Sequence, residues 1–186
     1  ALRAPGFFFS LSPSLPVSQS PLSAMKHLLR LLALAAIAVL AASHVRASYL
    51  SITATNVIPS SAAVIQTGTA GEALTAGQLV YKKASDRKFY KADCDSATAE
   101  VRDVYGIAVT SSAIGAPVSI VLEDSALAIA ASGLTNGTIY LLSATAGGLA
   151  PAADATTGWY PTVVAIAKSG TTIAFRAATL RSATAL

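Results

Sequence analysis

Leu74-Thr75-Ala76-Gly77-Gln78-Leu79-Val80-Tyr81 decides the fold, because the chain says it twice: Leu134-Thr135-Asn136-Gly137, followed by Tyr140, repeats its opening and its aromatic. Two further landmarks follow in step. Ala92-Asp93 returns as Ala153-Asp154 and Ile107-Ala108 as Ile166-Ala167, so the three offsets are 60, 61 and 59 residues. Each copy runs turn, apolar strand, small-residue loop with an Asp, then a second apolar strand. That order predicts two copies of one short β unit.

The segments around the repeat have the same character. Ala62–Thr67, Gln78–Lys83, Arg87–Ala92, Asp103–Thr110, Pro117–Glu123, Ala126–Ala131, Thr138–Ser143, Thr162–Lys168 and Thr171–Arg176 are short and apolar or alternating. Gly, Pro, Ser, Thr, Asn or Asp bounds each of them, which is the pattern of strands. Leu79 and Tyr81 fall on one face of their strand, with Val80 and Lys82 on the other. After Ser48 no stretch keeps a 3.6-residue apolar period, and helix is expected only as a turn around Ser96 to Arg102. The reading is an all-β protein, a small β-barrel or sandwich built from two similar half-units. A body of this length buries ~68% of its unfolded surface and folds without metal or disulfide.

Residues 1–47 read as a separate leader and residues 48–186 as the β domain. Lys26 and Arg30 precede the unbroken apolar run Leu31 to Ala42, and Val45-Arg46-Ala47 offers small residues for cleavage before Ser48. This is a secretory signal pattern, too short for the roughly twenty residues that cross a bilayer. A retained helical or disordered N-terminal extension is the other reading, with Leu28 to Ala42 burying its apolar surface on a partner.

Charge separates along the same boundary. Of the 13 Lys and Arg, Arg3, Lys26, Arg30 and Arg46 lie before Ser48, while all 9 Asp and Glu lie after it. The body is therefore electrically balanced and makes no case for nucleic acid. The Lys82 to Lys91 cluster reads as the solvated face of a hairpin.

Reactive groups are scarce. Both histidines, His27 and His44, are in the leader, so the body lacks the usual base near neutral pH. No nucleophile elbow, phosphate loop or dinucleotide fingerprint occurs. Cys94, the single cysteine, lies between Asp93 and Asp95, whose charges disfavour a thiolate. The Asp-x-Asp spacing lacks the further ligands of a calcium loop. Glu123-Asp124 reads as a solvated strand end, its carboxylates pointing to opposite faces. No catalytic, cofactor-binding or metal residue is assigned. The candidate contact residues are aromatic: Trp159, Tyr160, Phe89, Tyr90 and Tyr49. Phe89-Tyr90 and Trp159-Tyr160 are adjacent pairs, so each is expected to point one ring inward and one outward, and Trp159 is the first choice as a contact.

The body, roughly Ala63 to Phe175, resembles the capsid decoration (cement) proteins of tailed bacteriophages. The residues that carry this are Ala70-Gly71-Glu72-Ala73 leading into Leu74 to Tyr81, Phe89-Tyr90-Lys91-Ala92-Asp93, Val104-Tyr105-Gly106-Ile107-Ala108, Gly115-Ala116-Pro117-Val118, Gly137 through Pro151, and Asp154. The resemblance implies a homotrimer on the outer capsid surface that bridges major capsid protein subunits and stabilises the expanded shell, with no cofactor, nucleic acid or membrane partner in the mature form. The signal-like leader departs from that pattern. It favours instead an exported periplasmic or surface β-domain binding module, and a phage fibre or adhesin module would use a similar small β fold.

Overall fold

The computed structural model describes residues 49–131, 133–181 and 183–186. The leader, with its helical or disordered alternative, lies outside the described residues. The rest is nearly all β, a curled antiparallel sheet in the form of a half-barrel. Its strands are β1 (Ile52–Ile58), β2 (Val64–Thr69), β3 (Leu79–Lys82), β4 (Phe89–Lys91), β5 (Gly106–Ala108), β6 (Pro117–Ala131), β7 (Ile139–Leu142), β8 (Leu149–Pro151), β9 (Thr162–Ala167) and β10 (Thr172–Arg181). Single 3₁₀ turns occupy Ala99–Arg102, within the expected turn, and Ala152–Asp154.

The strand order is β4-β3-β5-β6-β10-β9-β7-β8, with β1 and β2 both paired to β6. The order reads outward from the β6–β10 junction as two copies of one pattern. In the first, Val80 pairs with Lys91 and Lys82 with Phe89; in the second, Tyr140 pairs with Pro151 and Leu142 with Leu149. Every partner has moved by 60 residues. Leu79 faces Ile107 across β3–β5 as Ile139 faces Ile166 across β7–β9. The entry turns match to the hydrogen bond: Gln78 N–H donates to Thr75 O and Thr138 N–H to Thr135 O, both at 3.1 Å. Gly77 and Gly137 sit at φ 93° and 80°, a region that favours glycine. Their N–H groups donate to Ala108 O and Ala167 O at 2.7 and 2.8 Å. The landmark Ala92-Asp93 against Ala153-Asp154 is one residue out of step. After β8 the chain turns at once into its 3₁₀ turn, whereas after β4 it runs through a loop first.

Strand β6 corrects the expectation of two separate strands, Pro117–Glu123 and Ala126–Ala131. It runs unbroken for 15 residues. Its first half lies between β2 and β5, with Val121 paired to both Ile65 and Ile107. Its second half lies between β1 and β10, with Ile129 opposite Val57 and Leu127 opposite Ile173. Glu123-Asp124-Ser125 looks like turn chemistry in sequence. In the fold the Asp124 carboxylate serves the change of neighbours, where the registers of β2 and β10 both shift. The sheet's far ends are also tied back. Gly71 N–H donates to Phe89 O beside the Ala70–Phe89 bridge, and Leu50 N–H donates to Leu149 O at 2.7 Å.

Two apolar clusters fill the curl. The larger joins both half-units, and includes Leu79, Tyr81, Ile107 and Val121 with Tyr140, Leu142, Leu149, Trp159, Ile173 and Phe175. The smaller lies on the opposite face of the first half-unit and holds Ala70, Leu74, Val80, Phe89, Ala108, Val118 and Ile120. The alternation of Leu79 and Tyr81 against Val80 thus separates two cores. Gly106 allows β5 to close on β6, since a Cβ there would stand 2.5 Å from Val121 O and collide with the Ile120 side chain. Gly106→Ala should therefore cost about 1–3 kcal/mol by overpacking. Gly170→Ala, where a Cβ meets nothing within 4 Å, should stay within about 0.5 kcal/mol of the parent. Urea unfolding of the two variants checks the contrast.

Candidate functional site

The five aromatic candidates are not brought together, and two of them are core residues. Trp159 is 4% exposed and belongs to the larger cluster, which overturns its choice as a contact. The backbone around it is paired with Leu186: Gly158 N–H donates to Leu186 O at 3.1 Å and Leu186 N–H to Trp159 O at 2.9 Å. Phe89 is likewise buried, packed against Tyr105 at 5.4 Å between centroids and covered by Lys82 Nζ, so it too is withdrawn as a contact. The inward-outward reading of the pairs holds, since Tyr160 and Tyr90 are half-buried.

The outward rings are engaged within the molecule. Tyr160 carries the Arg102 guanidinium 3.5 Å from its centroid. Tyr90 stacks on Tyr81 at 5.8 Å, lies against Gly71, and donates its hydroxyl to Asp86 at 2.7 Å. Tyr49 is 52% exposed beside a cleft of about 230 Å³ floored by Gly77, Gly147 and Gly148. The basic hairpin is less solvated than expected: Lys82 Nζ lies over Phe89 and Tyr105, Lys83 Nζ over Tyr90, and Lys91 reaches Glu72 at 4.0 Å.

The perturbed titratable groups are structural. Burial first, then the neighbouring Asp95 and Asp93 charges, pushes the Cys94 thiol up to about 12, which fits its reading as a small loop residue. Asp93 is raised from 3.8 to about 6, by desolvation and then by its hydrogen bond to Asp95 and that group's charge. The turn that carries them is bolted down on several sides. Asp93 N–H donates to Val101 O, Cys94 N–H to Ser143 O, and Tyr160 N–H to Cys94 O. Among the described residues, no three His, Cys, Asp or Glu side chains gather to hold a metal ion. No helix there is long and apolar enough to cross a membrane.

Asp124 corrects the reading of a solvated strand end. It is 1% exposed. Its carboxylate accepts from Ser60 N–H at 2.7 Å, Ser60 Oγ–H at 2.6 Å and Ala126 N–H at 2.9 Å. Desolvation works against its charge, but these bonds outweigh it and hold the carboxyl below its ordinary range. Glu123 points the other way, exposed, 3.7 Å from Arg176.

What sequence reasoning missed is aliphatic. Ile58, Val64 and Ile65 stand exposed along β1 and β2, Ile114 on the turn before β6, and Ile139 and Ile166 on the outer face of β7 and β9. The signal was present in β9, where Val163, Val164, Ala165 and Ile166 are apolar at both parities. A strand of that kind has two apolar faces, and one of them needs a cover beyond the local core. Nothing in these surfaces assembles a nucleophile, a base and an oxyanion site. What they offer is exposed aliphatic area. No family model matches the chain, and no curated protein matches it either.

Two predictions follow from the carboxylates. Asp124→Ala leaves the Ser60 and Ala126 N–H groups without their acceptor and should cost about 2–4 kcal/mol, with Asp124→Asn losing less; denaturant unfolding measures both. Asp93 is raised in the fold, so its contribution is complete below its ordinary 3.8 and is lost as pH rises through about 6. Asp93→Asn should flatten that decline between about pH 4 and 6, read as unfolding free energy across the range. Asp124 acts in the opposite sense, losing its contribution only as pH falls below its ordinary value.

Proposed function

We propose that this chain is a non-enzymatic structural protein that decorates the outer surface of a bacteriophage head. It binds the major capsid protein as a homotrimer, bridges neighbouring subunits and stabilises the expanded shell. The observation that carries this reading is the set of exposed aliphatic residues, Ile58, Val64, Ile65, Ile114, Ile139 and Ile166, on a charge-balanced β body. Exposed apolar strands and edges invite association and need cover. The choice of a capsid as the surface comes from the resemblance carried by Ala70 to Tyr81, Phe89 to Asp93 and Gly137 to Pro151.

The mechanism asks little of any one contact. A trimer engaging several subunits gains effective concentration for each further contact, so weak apolar patches add up to firm attachment. The perturbed groups agree with a non-catalytic role, because Cys94 and Asp124 are occupied in holding turns together. Isolated expanded heads lacking the protein should bind the purified chain and rupture at a higher temperature. Unchanged rupture temperature with saturating protein would contradict the reading. The signal-like stretch Met25 to Ala47 favours a second reading, an exported binding module. For that reading the mature N-terminus would be Ser48 after export, and N-terminal sequencing distinguishes it from an intact leader inside virions.

A further inference from the structure

The turn Asp93-Cys94-Asp95 sits where the two half-units are tied to each other. Ala92, just before it, bonds to both: its N–H donates to Leu79 O of β3 at 3.0 Å, and its carbonyl accepts from Gly147 N–H, beyond β7, at 2.7 Å. Cys94 N–H donates to Ser143 O, immediately after β7, at 3.3 Å. Cys94 O accepts from Tyr160 N–H, before β9, at 3.0 Å. A further bond, Asp93 N–H to Val101 O at 3.1 Å, stays within the first half-unit. The Cys94 side chain is 0% exposed and belongs to the large cluster that both half-units share.

Two carboxylates flank this joint, and no cation offsets them. Asp93 is half-buried and Asp95 exposed. Their side chains are hydrogen-bonded to each other, which requires one of the two to hold a proton. Asp95 N–H also donates to Asp93 Oδ1 at 3.4 Å. The elements packed around the turn bring little charge. The loop 143–148 has no titratable side chain. Arg102 holds its guanidinium over the Tyr160 ring at 3.5 Å, and its Nη1 is buried without a hydrogen-bond partner rather than bonded to either carboxylate. Glu100, on the same 3₁₀ turn, accepts from Ala84 N–H, and Asp103 beyond it is a further acid. On the β3–β4 side, Lys82 lies over Phe89 and Tyr105, and Lys91 reaches Glu72.

From this we infer that the turn is a pH-dependent latch between the half-units, closed while its two carboxyls share a proton and opening locally to uncover Cys94 when both are ionised. Asp93 holds its proton more tightly in the fold, at about 6 against an ordinary 3.8, through desolvation first and then Asp95. The closed latch therefore has its full stability below 3.8 and loses it as pH rises through about 6. The loss falls on one joint, while the rest of the body stays folded, as expected of a locally opening unit. The latch works with or without a capsid, so it goes beyond the decoration reading and does not depend on it.

Cys94 is its own reporter, as the single cysteine of the chain. Its rate of labelling by 4,4′-dithiodipyridine, divided by that of the urea-unfolded chain at the same pH, measures how well the latch protects it. Between about pH 4 and 7 the protection should fall on the order of 10- to 100-fold in the parent, and in low urea it should hardly change with urea concentration. Asp93→Asn should keep its protection constant across that range. Asp95→Asn should show a smaller fall than the parent, because the desolvation of Asp93 remains. Parent protection that is independent of pH overturns the inference, as does an equal fall in both variants. A fall that follows urea with the full slope of global unfolding overturns it too, since the opening would then be that of the whole body.

Discussion

The structure depends on one strand remaining a strand where its sequence suggests a turn. β6 has different neighbours along its two halves, β2 and β5 first, then β1 and β10. Two half-units can share it only if the backbone stays extended through Glu123-Asp124-Ser125. The Asp124 carboxylate makes that possible by accepting three hydrogen bonds at the point where the adjoining registers shift. It also fixes Ser60, in the link between β1 and β2, so the strands before and after that link both stay on the same edge of β6. A buried carboxylate is costly unless it is fully bonded. Here the bonding and the change of neighbours are the same structural event.

Much of this was legible in the residues. The 60-residue echo predicted two half-units, and the pairing of β3–β4 and β7–β8 repeats it strand for strand. Turn chemistry at Asn136-Gly137 and Ser169-Gly170, and alternation in Leu79 to Lys82, placed β3, β7, β9 and the start of β10 within a residue or two, while β10 runs on to Arg181, five residues past the expected Arg176. The illegible parts share a cause. Asp124 looks like a surface residue because its acceptors are satisfied by Ser60, 64 positions away. Trp159 looks like a loop aromatic because Leu186, which pairs with its backbone, lies far along the chain. In both cases a distant partner supplies the hydrogen bonds, and local composition carries no trace of it.

The exposed aliphatic surface was hidden for a different reason. Reading for recognition favours aromatic rings, and four of the five candidates are spent on internal packing: Trp159 in the large cluster, Phe89 on Tyr105, Tyr90 on Tyr81, Tyr160 under Arg102, with Tyr49 left exposed. The exposed area falls instead to isoleucine and valine, which sequence patterns assign to cores by default. The repeat bears on two of them, Ile139 and Ile166, whose counterparts Leu79 and Ile107 are buried. A unit whose outer face packs well against its copy keeps that apolar face in both positions, yet only one of the two can be covered inside a single chain. An uncovered face of this kind suits a protein whose role is to be held by neighbours, and it needs no reactive group.

The central claim is that this balanced β body acts through its exposed aliphatic surfaces while its interior stays fixed. Hydrogen exchange of the chain free in solution and bound to expanded heads tests it most directly. The account predicts slower exchange of amides in β1 and β2 on binding, with the Asp93–Asp95 turn and β6 unchanged. Exchange that is identical in the two states, or protection confined to the Asp93–Asp95 turn, would contradict it.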